Sequence, residues 1–241
     1  NLRLVKHLKK TRLKFQIIIA DGSKKSQYKI FSSIRNHKIL YKRFAYDKDV
    51  YTFLKKLYLS SKFINTEYCA FIENDEFIIF DTYNYLCKQL DKNQNLSFIT
   101  ARLYNFNIKK NKQRIITGLC RPNFNKFKKI NINLLDEIPV CYEGVHRSKS
   151  FKKNLETIIE NSNQNLDINT FLKFFHFLTA LNGNLKFVNN RILSFRQANT
   201  HELEKVKSAN KLVPKIKTLN LIYNISNIFN VSARINQINK D

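Results

Sequence analysis

The sequence predicts an α+β protein: an N-terminal helix with an antiparallel hairpin, a small β-rich middle, and a C-terminal helix-rich extension carrying a short hairpin. Three observations predict it. Val50, Phe53, Leu54, Leu57 and Tyr58 recur at i, i+3, i+4, i+7 and i+8, which places them on one face of a helix. Beyond Phe63-Ile64 the period changes to two: Tyr68, Ala70 and Ile72 alternate along a strand, Glu73-Asn74-Asp75-Glu76 form a polar turn, and Phe77, Ile79 and Phe80 return. Residues 169–181 are apolar enough to be a buried helix, and Asn182-Gly183 terminates it.

Taken in order, residues 1–26 form a basic arm, because NLRLVKHLKKTRLKF carries six Lys or Arg and no acid. A strand-like IIIA follows at Ile17 to Ala20 and stops at the turn signal Asp21-Gly22. An α/β domain spans 27–96, with Asp47 as helix N-cap and Asp49 in the positive first turn. Residues 97–160 form a β-rich domain, with strands near Phe98–Phe106 and Arg114–Leu119 and helical spacing at Phe151, Leu155, Ile158 and Ile159. The polar break 161–165 opens a C-terminal extension, 161–241. In it LKFV-NN-RILSF predicts a hairpin with an Asn189-Asn190 turn. Thr200 caps a helix that Pro214 ends, and Leu221, Ile225, Ile228 and Phe229 mark a last one.

Charge points to a partner. Against 18 acidic residues stand 43 Lys and Arg, a formal net charge of +25, which favours a polyanion through counterion release, with nucleic acid the leading choice. No uncharged apolar run reaches the roughly 18 residues of a membrane span, so no membrane partner is expected. Cys69, Cys87, Cys120 and Cys141 form no CxxC pair and have no His at ligand spacing, so buried thiols are expected, with no metal and no cofactor. Richness in Asn, Lys, Ile, Phe and Tyr is what an AT-rich, organellar gene produces, and the absence of Met suggests a processed or incomplete chain.

Lys109, Lys110, Lys112, Arg114, Arg121, Lys126, Lys128 and Lys129 surround Phe124 and Phe127 with no acid among them. That interleaving suits RNA, with cations on phosphates and rings under bases; a solvated loop with two anchoring Phe side chains reads the same way. His146, Arg147, Ser148 and Lys149 supply donors beside the turn at Gly144. Glu143 and His146 form the tightest acid and His pair, but no third group orients them, so no catalytic residue is assigned and the chain is not expected to be an enzyme. FLTALNGNLKF is superficially similar to the helix-ending signature of homing endonucleases and intron maturases, the alternative reading, although Asn182 or Asn184 stands where that chemistry needs an acid.

Ile34-Arg35-Asn36, the helix after it, the Lys62-Phe63-Ile64 step and the strand pair ending FDTYNY together resemble small-subunit ribosomal protein eight, the universal S-eight family. Cys120-Arg121-Pro122 is similar to that family's Ser-Arg-Pro, while its Ser-Thr-Ser-x-Gly loop is replaced by IPVCYEGVHRS. The resemblance covers about residues 27 to 148. It implies a non-enzymatic constituent of a mitochondrial small ribosomal subunit, bound in the matrix to small-subunit rRNA and neighbouring ribosomal proteins, with no small-molecule substrate. Arg35 and Asn36 join the RNA-binding set on that ground.

Overall fold

A computed structural model describes residues 5, 8–9, 15–34, 38–73, 76–109, 112–119, 130–131, 141–197 and 233–234, with backbone alone in 105–109, 112–119, 130–131, 197 and 233–234. The class is α+β. The IIIA segment forms β1 (Ile17–Asp21), followed by a single turn, α1 (Tyr28–Phe31), and β2 (Ile39–Arg43). The two strands pair in parallel, Ile17 opposite Ile39 through Asp21 opposite Arg43. A parallel pair needs a crossover, which residues 22–38 supply.

The amphipathic stretch forms α2 (Val50–Ser61), and its stripe is buried as the spacing predicts, with Leu54 and Leu57 in the core and Phe53 and Tyr58 packed against it. Its cap is Asp49, not Asp47: the Asp49 carboxylate accepts the Thr52 backbone N–H at 2.6 Å. Asp47 instead pairs with Lys56. The helix starts two residues later than an Asp47 cap requires.

The predicted hairpin does not form. β3 (Tyr68–Cys69) and β4 (Glu76–Ile78) lie at opposite ends of a sheet of order β3-β8-β5-β9-β4. Its other strands are β5 (Leu96–Lys109), with β6 (Lys112–Leu119) alongside, β8 (Val145–Arg147) and β9 (Asn184–Gln197). Two strands of two and three residues make a marginal ribbon alone, and pairing with β8 and β9 satisfies their backbones against longer strands. The FDTYNY end of that hairpin is the start of α3 (Phe80–Lys92), whose Tyr83, Leu86 and Leu90 face inward. A two-stranded parallel pair, β7 (Ile130–Asn131) with β10 (Ala233–Arg234), stands apart from this sheet.

The Asn189-Asn190 hairpin is also absent. β9 runs straight through and pairs in parallel with β5, and its register jumps from Ala101 opposite Val188 to Arg102 opposite Ile192. The residues between bulge out of the ladder instead of turning the chain. Helices α4 (Ser148–Glu160) and α5 (Ile168–Asn182), the latter capped by Asp167, bridge β8 to β9. The sheet takes its strands from residues 68–197.

Period-two alternation is real and separates two cores. Cys69 and Phe71 pack with α2, α4, α5 and Phe98 on one face, while Tyr68, Ala70 and Ile72 pack with α3, Ile99 and Val145 on the other. Gly144, at φ 155°, passes so close to β5 that a Cβ there would lie 2.5 Å from the Phe98 ring and 2.8 Å from the Ile99 carbonyl. Cys69, Cys87 and Cys141 are free thiols, and among the described residues no helix is long and apolar enough to cross a membrane.

Candidate functional site

A cavity of about 880 Å³ lies between the β1–α2 layer and the sheet. Its body is apolar, walled by Ile17 to Ile19, Phe53, Phe71 and Phe80. Its polar groups include Asp21, Gly22, Ser23 and Gln27 at the carboxyl end of β1, together with Asp47 and Lys56. Clefts outside the carboxyl ends of parallel strands are where open α/β sheets bind ligands, because backbone N–H groups and short loops converge there.

Asp21 organises that end. It is 7% exposed, and its carboxylate accepts the backbone N–H of Ser23 and of Gln27, each at 2.9 Å, and the Tyr41 hydroxyl, with the Arg43 guanidinium at 3.2 Å. Burial alone would raise its pKa; the hydrogen bonds from Ser23, Tyr41 and Gln27 outweigh it and hold the group at about 2. Burial and then the adjacent carboxylate push the Tyr41 phenol up.

Asp47 stands beside it, its backbone N–H donating to the Gly22 carbonyl at 2.9 Å. A Cβ on Gly22 would run into the Asp47 carboxylate, so glycine permits the approach. One oxygen of that carboxylate takes Lys56; the other, Oδ1, is buried with no hydrogen-bond partner among the described residues. Glu73 lines the cavity from the β3–β4 segment, and Arg196 of β9 ties it to Glu143, whose carboxylate is 3.7 Å away. Among the described residues no group of three or more His, Cys, Asp or Glu is arranged to hold a metal.

The residues singled out in sequence fall elsewhere. His146 is in the core, 1% exposed, its ring 4.6 Å from Phe98, 5.1 Å from Phe151 and 5.4 Å from Phe175. Burial drives its pKa down to about 3, so it is neutral. Arg147 donates to the carbonyls of Leu96 at 2.9 Å, Leu90 at 2.8 Å and Asn93 at 3.2 Å, fastening the end of α3 to β5. Ser148 is buried at the start of α4, and Lys149 is exposed beside it. Lys109, Lys112 and Arg114 lie on the paired β5 and β6 backbones, Lys109 opposite Lys112 and Asn107 opposite Arg114. Arg35, Asn36, Lys110, Arg121, Lys126, Lys128 and Lys129 lie outside the described residues, as do Cys120 and the helices expected after Thr200. Asn182 is the last residue of α5, its side-chain amide donating to Asn154 at 2.9 Å and to the Leu178 carbonyl at 2.8 Å.

Sequence reasoning passed over Asp21, Asp47 and Lys56. The sequence carries one signal, an acid directly after a β-branched strand and before Gly, a pattern that also marks a turn.

No family model matches the chain, and no curated protein matches its sequence. Solved structures match its fold. S. aureus TarS 1-349 in complex with UDP-GlcNAc has a TM-score of 0.60 at 11% identity, over 97% of this chain and 63% of that one. The same fragment in complex with UDP has 0.56 at 10%, over 95% and 67%. S. aureus TarS has 0.55 at 11%, over 95% and 41%. This chain therefore spans between 41% and 67% of the length of these structures.

That likeness overturns the ribosomal reading. The S-eight resemblance rested on short motifs: Lys62-Phe63-Ile64 does end α2, but FDTYNY, expected to close a strand pair, is helical. The assignments that hung on it fall together: rRNA and ribosomal-protein partners, the absence of a small-molecule substrate and a non-enzymatic role. The nuclease alternative falls too. Net charge misled because it reports affinity for anions in general and does not single out RNA.

Proposed function

We propose that this chain is the nucleotide-sugar-binding part of a glycosyltransferase and takes a UDP-sugar into the cavity at the carboxyl end of β1. The carrying observation is the Asp47 carboxylate, beside Asp21 at that end, whose Oδ1 is buried with no hydrogen-bond partner among the described residues. A uracil imide and ribose hydroxyls are donors, and a buried acceptor without a donor is a cost that such a ligand removes. The cavity's 880 Å³ is in the range of small-molecule sites. Structures of the same fold have been solved with UDP and with UDP-GlcNAc. Lys56, beside Asp47, and the +25 chain give a positive field for the diphosphate, which accumulates charge as the bond to the sugar breaks.

Calorimetric titration of the full chain with UDP and UDP-GlcNAc tests the reading. Both bind with Kd below about 1 mM, and Asp47→Ala weakens both about tenfold. Absence of heat from either ligand on the parent chain would reject it.

A further inference from the structure

The cavity has the outline of a missing strand pairing. Its lining includes every residue from Phe15 to Ser23 and every residue from Thr66 to Glu73. A strand that shows a face to a cavity contributes alternate residues, because its side chains point to opposite sides in turn, so unbroken runs mean that β1 and β3 each present an edge. No residue of β2, β5 or β9 lines it, which places it on the side of β1 away from β2 and beyond the β3 end of the large sheet. Helix α2, packed with Cys69 and Phe71 on one face of that sheet, and α3, packed with Ala70 and Ile72 on the other, line it too. The cavity is a slot in the plane of a sheet, between two open strand edges and with a helix on each face.

Neither edge on the slot has a ladder partner among the described residues, and Ile17, Ile18, Ile19, Ala70, Phe71 and Ile72 are all only half-buried. The alternation that starts at Tyr68 continues to Ile72, although β3 ends at Cys69. An apolar molecule in the slot would cover these side chains but not the backbone N–H and C=O groups of two strand edges, which only hydrogen bonds satisfy.

Resting on the nucleotide-sugar reading, we infer that β1 pairs in parallel with Tyr68–Ile72 when the ligand binds, joining the two sheets in the order β2-β1-β3-β8-β5-β9-β4. The chain direction suits it: β2, α2 and β3 follow one another as strand, helix and strand, the connection used by parallel strands, and β1 is already parallel to β2. The apolar body of the cavity closes, while the polar end formed by Asp21 and the loop after it stays open. Pairing brings the carboxyl end of β1 beside Glu73, the residue that follows Ile72, so a ligand held at that end binds the joined form better than the open one, and that difference drives the closure.

Disulfide trapping tests this with the native Cys69 of β3, a free thiol. Ile17→Cys, Ile18→Cys, Ile19→Cys and Ala20→Cys are made singly in the full chain and oxidised with and without UDP, and bridges to Cys69 are mapped by mass spectrometry. A bridge needs Cα atoms within about 7 Å, which paired strands about 4.8 Å apart provide. At least one variant bridges to Cys69, at least fivefold faster with UDP, and the bridged chain binds UDP as the parent does. Amide hydrogen exchange on the parent gives a reading free of substitutions: residues 18–20 and 70–72 slow at least tenfold with UDP. No bridge at any position, bridging that UDP leaves unchanged, or exchange in both segments that UDP leaves unchanged overturns the inference while UDP binding persists. A parent chain that gives no heat with UDP removes the nucleotide-sugar reading and this inference together, and calorimetry tells that failure from the others.

Discussion

The Asp21 carboxylate accepts the backbone N–H of Gln27 at 2.9 Å, across six residues, so the loop leaving β1 is wound around the side chain that ends the strand. A second link, from the Ser23 backbone N–H, closes the first turn of that loop at 2.9 Å. One buried anion therefore shapes the loop at the cavity's polar end.

That anion makes acid stability predictable. Asp21 titrates at about 2 against an ordinary 3.8, so the folded state binds its proton less readily than the unfolded chain. Its contribution, about 2 kcal/mol, is complete above pH 3.8 and is lost as pH falls toward 2. Urea melts of parent and Asp21→Asn across pH 2 to 7 check this: the stability gap between them narrows over that acid window.

His146 acts in a different window. Its pKa is lowered from 6.5 to about 3, so below pH 6.5 the unfolded chain takes up a proton that the core refuses. Stability is full above pH 6.5 and declines on acidification until about 3, with a loss of about 2 kcal/mol by pH 5. His146→Phe, measured by denaturant melts at pH 5 and pH 7.5, has a smaller difference between the two than the parent has.

Gly144→Ala is expected to be severe. The new methyl meets the Phe98 ring and the Ile99 carbonyl at a backbone angle that L residues rarely adopt, and the strain and overpacking together cost about 3 kcal/mol. Equilibrium unfolding of the variant should show that loss; a change below about 1 kcal/mol would mean that β8 moves away from β5 freely.

Arg147→Ala distinguishes a structural arginine from a phosphate-binding one. Its guanidinium holds three carbonyls, at Leu90, Asn93 and Leu96, so truncation should lower stability by about 2 kcal/mol. UDP affinity, measured on the folded fraction, stays as in the parent.

Asp49→Ala removes the true cap of α2 and costs about 1 kcal/mol in a chemical melt, with ligand affinity retained, whereas Asp47→Ala leaves the cap in place.

Local pattern carried the helices and several strands. The Val50 to Tyr58 spacing is the buried face of α2, the run ending at Asn182-Gly183 is α5, and IIIA is β1. Even the alternation at Tyr68 to Ile72 was read correctly as two faces, since it divides the two cores. The short β4 was mistaken for half of a hairpin, and the Asn-Asn step of β9 for a turn, because turn-forming residues look alike whether the chain reverses or bulges.

Periodicity and propensity are properties of neighbouring residues, and they are enough to determine which stretches of this chain coil, which extend and which side of each is apolar. Partnership is not local. That β3 joins β8, that β4 joins β9, and that Asp21, Asp47 and Tyr83, from three separate elements, line one cavity depends on contacts between distant residues, whose loop-closure entropy leaves no trace in sequence spacing. The +25 charge could be counted from the residues, but which of them stand around one cavity could not.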